Sequence, residues 1–336
     1  MAKDLSRYLE KVELPVAPDE VGLRLDHFLV GKIFWRSRSD LQQRIKAGKV
    51  LLNDRPGKAS SKLAAGDLVV VLVGPEDLPD QDPESVELEV LHENADVIVL
   101  NKQPGVLVHP IGRHVYDTIM NALYLRYRLS GEAERGVEPH VVHRLDRDTS
   151  GVLVVAKSFP AKQALQDEFQ SRRPGKDYLA LVAGRVEAGS GVAEEPIGSD
   201  DESEIRLKMK VRADGLPSRS EWQVVERFAD ATLLRVRIMT GRQHQIRVHL
   251  EHLGHPILCD PLYGDPRSLG ALGGEELLER QALHAERLEI RLPGEEKARV
   301  FEAGLPADMA AILSELRAGR ALIPGRDVQS GRWRRA

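Results

Sequence analysis

The chain has 336 residues, 42% of them hydrophobic and 30% charged, with a net charge of −4 and a single cysteine. That length predicts about two domains, and that composition excludes a disordered or fibrous chain. The lone Cys259 excludes an intrachain disulfide, a thiolate metal cluster and a C-x-x-C redox pair, and the longest apolar run, Leu68–Val73, is far short of the roughly 20 residues a membrane helix needs.

The N-terminal stretch "MAKDLSRYLEKVELPV" mixes charge with apolar residues and lacks the apolar centre of a signal peptide, so the expected compartment is the cytoplasm. Charge is segregated beyond that point. Residues 21–70 hold ten Lys/Arg against four Asp, a local +6, and residues 317–336 hold six Arg against Asp327, a local +5. Between them, residues 74–89 hold seven acids and no base. A basic module followed by an acidic spacer predicts a polyanion-binding domain on a tether.

In chain order, "SRSDLQQRIKAGKVLLNDRP" opens with Ser37 and Asp40 in capping-box spacing and predicts a helix stopped by Gly48. Arg38, Arg44 and Lys46 are expected to point away from Leu41 and Ile45, which face the core. A strand Val50–Leu52, a turn through Asn53 and Asp54, and a strand Leu68–Val73 follow. "GPEDLPDQDPESVE", residues 74–87, reads as a linker. Beyond it, strands are predicted at Val97–Leu100, Val152–Ala156, Leu179–Ala183 and Leu233–Met239. One amphipathic helix, Ala161–Arg172, stands out by its apolar residues at i, i+4 and i+8. Few helices among many strands favour an α+β fold on a mixed, mostly antiparallel sheet over a doubly wound parallel one. "LGALGGEELLE" near residue 270 is expected to be a loop leading into a short helix.

The stretch "HVVHRLDRDTSGVLVVAK", residues 140–157, crowds six ionisable side chains against the mouth of an apolar strand. "HRLD" is not the kinase H-R-D, because Leu145 breaks the spacing and no Gly-rich loop, D-F-G or A-P-E accompanies it. His244, His249, His252 and His255 offer possible zinc ligands, but not as H-E-x-x-H, and are expected to be hydrogen-bonded scaffold. No P-loop or G-x-G-x-x-G cradles a nucleotide. What remains is a carboxylate, Asp146, set among Arg144 and Arg147, with Arg242 and Arg247 a hundred residues on. A carboxylate held by arginine stays ionised and oriented, and serves as nucleophile or general base without a cofactor.

"VLNKQPGVLVHP", "HRLDRDTSG", "KDYLALVAG", "TGRQHQIRVHLEHLGHPILCDPLYG" and "LHAERLEI" resemble, in order and spacing, the successive motifs of the RluA-type pseudouridine synthases. Residues 19–75 resemble the ribosomal-protein-S-four-type RNA-binding domain that often precedes them. The resemblance implies a small α/β RNA-binding domain at 19–75, an acidic linker at 76–89, a catalytic domain at 90–305, and a C-terminal helix and basic tail at 306–336. It implies isomerisation of uridine to pseudouridine in structured RNA, above all large-subunit ribosomal RNA, by a monomer that uses no metal or cofactor. The essential carboxylate would be Asp146, with Tyr178 stacked on the uracil and Arg247 paired to Asp146. Arg144, Arg242, Arg38, Arg44 and Lys46 would contact RNA. Gln103, Gln243 and Leu216 depart from the usual family pattern, and the first two bear on substrate contacts. The resemblance leaves open whether Asp146 attacks carbon-1′ or promotes a glycal by removing a ribose proton. The alternative reading is a catalytically silent RNA-binding or ribosome-assembly factor on the same fold.

Overall fold

A computed structural model of the chain describes residues 11–33, 38–72, 85–110, 117–171, 173–203, 205, 207–271 and 276–327. It divides into two compact units, Met1–Glu87 with Val106–Pro139, and Leu88–Gly105 with His140–Ala336. The segment 106–139, assigned by its motifs to the catalytic domain, therefore groups with the N-terminal residues. Most of the acidic spacer, 73–84, lies outside the described residues, as do Ser37 and the tail 328–336.

The first unit has strand β1 (Lys11–Pro15), helices α1 (Leu25–Lys32) and α2 (Arg38–Lys46), and strands β2 (Val50–Leu52), β3 (Arg55–Pro56) and β4 (Leu68–Leu72). The strands form an antiparallel sheet in the order β1-β4-β2-β3. Phe28, Leu29, Leu41, Ile45, Val50, Val69 and Val71 make its core. Gly48 adopts a left-handed φ of 73° just past α2, where a side chain would be strained. Arg38 and Lys46 are exposed as expected, but Arg44 is not. It is 8% exposed, with its guanidinium on Asp40 at 3.2 Å. The reason is periodicity: position 44 follows Leu41 by three residues and so shares the buried face.

The second unit opens with β5 (Glu89–Glu93) and β6 (Val97–Lys102). Helix α3 (Ile119–Leu129), which belongs to the first unit, intervenes in sequence. Then come β7 (His140–Val141), β8 (Ser150–Ala156), α4 (Phe159–Gln170), β9 (Gly175–Ala183), β10 (Ser190–Ala193), β11 (Ile197–Ser199), β12 (Met209–Val211), β13 (Ser220–Arg227), β14 (Ala231–Ile238) and α5 (Gln245–His252). The chain continues through β15 (Arg267–Ala271), β16 (Glu276–Leu278), β17 (Leu283–Arg291), β18 (Ala298–Glu302), α6 (Ala307–Arg317) and β19 (Leu322–Asp327). A ten-stranded sheet runs β10-β13-β14-β9-β17-β8-β6-β5, with β18 pairing with β17 and β7 with β8 off that path. Every pair is antiparallel except β17 with β8. This is the expected α+β architecture. One element differs: the segment near residue 270 is strand, not loop and helix. β15 there pairs with β16 and with β19 from the far end of the chain, a long-range pairing that no local pattern announces.

β8 is buried throughout, which accounts for its unbroken apolar run. It enters the sheet at Gly151, where φ is 113° and a Cβ would stand 2.1 Å from the Ala285 carbonyl oxygen of β17. The clash is with the backbone of the neighbouring strand, which cannot swing aside as a side chain would. Gly151→Ala should therefore cost about 3–5 kcal/mol, read as a lowered urea midpoint of unfolding. An unchanged midpoint would mean that the parallel pairing is looser than its geometry implies.

Candidate active site

The loop 142–149 carries Asp146 from β7 into β8 and exposes three successive carbonyls that need donors. Two buried cations supply them. Lys102, 1% exposed at the end of β6, donates to the carbonyls of Arg147 at 2.8 Å and Thr149 at 2.9 Å, and to that of Gln103. Arg280 donates to the carbonyl of Asp148 at 2.9 Å and pairs with Asp308 of α6. The Thr149 amide closes the turn onto the carbonyl of Asp146 at 3.1 Å. At the loop's start, His143 accepts the Val154 amide at 3.0 Å. Burial pushes its imidazole down to about 3, which keeps the acceptor nitrogen unprotonated.

Asp146 so placed meets Arg247 of α5. The Arg247 Nη1 donates to Asp146 Oδ2 at 3.1 Å, while its Nε and Nη2 grip both oxygens of Asp260 at 2.7 Å. Arg247 is 3% exposed and Asp260 fully buried. Asp260 Oδ1 also accepts the amides of Leu262 and Tyr263, which fixes the carboxylate before it fixes the arginine. The guanidinium lies 5.0 Å from the Tyr263 ring centroid, and the Tyr263 hydroxyl meets the Met209 amide and His244 Nδ1, each at 2.8 Å.

Burial alone would push the Asp146 carboxyl up. The fields of His244 and Arg247 and the Arg247 hydrogen bond outweigh it and hold it below the usual carboxylate range. Burial takes His244 itself down to about 4, so near neutral pH it is uncharged and Arg247 keeps Asp146 ionised. Tyr178 is driven the other way, up, by burial first and by the charge of Asp146 second. Its hydroxyl stays protonated at neutral pH.

These groups line one cleft of about 250 Å³, walled by Arg144, Asp146, Thr149, Tyr178, Ile238, Gly241–Arg247 and Leu283. Five of the sequence-predicted site residues thus converge: Asp146, Tyr178, Arg247, Arg144 and Arg242. Arg144 is exposed, and Arg242 spends its Nε on the Pro217 carbonyl at 3.1 Å. Arg38, Arg44 and Lys46 belong to the other unit. Asp148 is buried beside Arg147 and does not line the cleft. The histidines are spread among different partners: His249 on Ser220 and Glu195, His255 on the Ala183 carbonyl. Among the described residues no group of three or more His, Cys, Asp or Glu side chains is placed to hold a metal ion.

Residues 96–252 match the family described as RNA pseudouridylate synthase. An uncharacterized RNA pseudouridine synthase of Chloroflexus aurantiacus is 40% identical over 304 residues, spanning 90% of this chain and 92% of its own. The ribosomal large subunit pseudouridine synthase D of Xanthomonas campestris is 39% identical over 310 residues, with coverages of 90% and 92%. Among solved structures, human RNA Pseudouridylate Synthase Domain Containing 1 superposes with a TM-score of 0.55 at 25% identity, over 74% of this chain and 93% of that one. The chain belongs to the RluA-type RNA pseudouridine synthases.

For this synthase, reasoning from residue types missed Asp260, Lys102 and Arg280. Asp260 sits in the quoted "CDPLYG" and Lys102 in "NKQPG", but neither motif says what the side chain touches. Removing the buried carboxylate in Asp260→Ala should leave Arg247 unpaired on one side. The expected cost is about 3–5 kcal/mol of stability, together with a fall in turnover, measured by denaturant unfolding and by pseudouridine formation. Wild-type stability in that variant would show that Arg247 finds another anchor.

Proposed function

We propose that this protein isomerises uridine to pseudouridine in structured RNA, with large-subunit ribosomal RNA as its substrate. The observation that carries this reading is the Asp146–Arg247 pair at 3.1 Å in one cleft with Tyr178. Substrate and product are isomers: the bond from ribose carbon-1′ to uracil nitrogen-1 breaks, the base turns, and carbon-1′ joins carbon-5, whose proton passes to solvent as nitrogen-1 gains one. No oxidant, reductant or group donor is needed. The reaction calls for an ionised carboxylate beside the ribose and a surface that holds the base while it turns. Asp146 is the carboxylate, whether it attacks carbon-1′ or removes a ribose proton. Tyr178 supplies the surface. Its hydroxyl, raised well above neutrality and with no protein hydrogen bond among the described residues, can serve the base as a donor.

A base inside a stem cannot reach this cleft, so the uridine is flipped out or taken from a loop. Arg144 and Arg242 on the cleft wall suit the task of holding the extruded nucleotide. Residues 19–75 are proposed to add affinity. There the fully buried Asp26 accepts from Arg24 at 3.0 Å and Arg38 at 3.3 Å and presents both guanidinium groups at the surface. That arrangement supports phosphate contact by Arg38, whereas Arg44 is committed to Asp40.

Mapping pseudouridines in cellular ribosomal RNA with and without the protein tests the function, and no lost site would refute it. With purified protein, Asp146→Asn should lower turnover by at least about a thousandfold while RNA affinity stays within a few-fold. The acid limb of the wild-type rate should lie below about pH 4, because a lowered pKa leaves Asp146 ionised until pH falls past the ordinary carboxylate value. Arg247→Met should move that limb upward, since burial then acts with less opposition. A limb that does not move would detach Asp146 from the pH profile. Exhaustive chelation should leave turnover intact on RNA that stays folded without magnesium; loss of activity together with a stoichiometric metal would contradict the cofactor-free reading.

A further inference from the structure

Two lysines buried in the second unit have evident partners. Lys102 serves three carbonyls, and Lys157 pairs with Glu93 at 2.8 Å. Lys176 of β9 has none: among the described residues its ammonium makes no hydrogen bond and no ion pair. It is half-buried, and its surroundings are apolar or uncharged. The Phe169 ring centroid of α4 is 5.8 Å from Nζ, and Phe169 in turn lies against the neutral His143, 4.8 Å between ring centroids. The adjacent Asp177 points to the opposite face of the strand, where Arg237 and Arg287 neutralise it. Burial pushes the Lys176 ammonium down to about 8, with no acid opposing it.

Its position ties this charge to the cleft. Lys176 precedes Tyr178 by two residues and so projects from the same face of β9, about 6.5 Å along the strand. Its Nζ stands 3.6 Å from where a Cβ on Gly241 would be, and Gly241 lines the cleft. With no side chain at 241, an incoming group can come up against the backbone beside the ammonium. A desolvated, unpaired cation lowers stability, so its place here calls for an anion that arrives from outside.

We propose that Lys176 binds a backbone phosphate flanking the target uridine, at the rim of the cleft beside Gly241, while Tyr178 meets the base. This rests on the RNA-modifying reading above. A phosphodiester is the anion that accompanies an extruded nucleotide, and the two-residue offset along β9 matches a contact one ribose away from the base.

The test compares wild type, Lys176→Met and Lys176→Arg in binding to an in vitro transcribed large-subunit ribosomal RNA at several salt concentrations. Thermal unfolding and single-turnover pseudouridine formation are measured on the same preparations. Lys176→Met should weaken binding about three- to thirtyfold at moderate salt and lower the salt slope by somewhat under one unit, the signature of one lost phosphate contact. Its unfolding temperature should rise or hold, because a half-buried unpaired charge has gone. Half-saturating RNA should rise by a larger factor than the saturating rate falls. Lys176→Arg should restore most of the affinity and the slope. An unchanged slope in Lys176→Met, or an arginine variant as weak as the methionine one, would overturn the phosphate contact. So would a drop in unfolding temperature that alone accounts for the weaker binding. If wild type forms no pseudouridine in this RNA, the functional reading fails, while the binding comparison still decides whether Lys176 meets phosphate.

Discussion

The site depends on one buried guanidinium. Arg247 has two carboxylates to satisfy and is fixed by the one it does not share with the cleft. Asp260 takes two of its donors in a bidentate grip and is itself locked by two backbone amides. That leaves Nη1 aimed at Asp146 with little freedom to wander. A lysine in the same place would offer a point charge and no such division of labour. The consequence for chemistry is electrostatic. Asp146 sits where burial would protonate it, and the fixed positive charge beside it keeps it ionised and oriented before any RNA arrives.

The other half of the arrangement is backbone. A turn between two strands normally leaves its carbonyls to water, yet the carbonyls of 147, 148 and 149 are all taken by Lys102 and Arg280. Asp146 is thereby pinned from both directions, its carboxylate by α5 and its main chain by cations from β6 and from the segment before β17. Arg280 also pairs with Asp308, so the C-terminal helix α6 is joined to the same turn through a single side chain.

How much of this was legible in the sequence follows the range of each interaction. Strands β2, β6, β8, β9 and β14 and helix α4 were found within a few residues of their ends, because period and composition are local signals. Asp146, Tyr178, Arg247, Arg144 and Arg242, singled out by motif resemblance and by charge, line one cleft, and the charge density at 140–148 points to the same place. Arg44 is buried against expectation because its charge argues for solvent while its helical spacing, i+3 from Leu41, puts it on the core face. Strand β15 near 270 is not legible because its second partner, β19, lies some fifty residues downstream. Asp260, Lys102 and Lys176 each look like ordinary charged residues until the fold supplies, or withholds, their partners.

The distribution of buried charge bears on why the site is built this way. Replacing a buried ionic cluster with well-packed apolar side chains is often neutral or stabilising, so Arg247, Asp260, Lys102 and Arg280 are a poor route to stability alone. An isomerisation that needs no co-reactant rests on the chemistry of its carboxylate, its position and the field it feels, and the last two improve when charges are fixed before the substrate binds. The paired cations set the position of Asp146 and the field it feels. Lys176 differs from them in having no partner in the folded chain, and the same reasoning makes it the charge whose partner comes with the RNA.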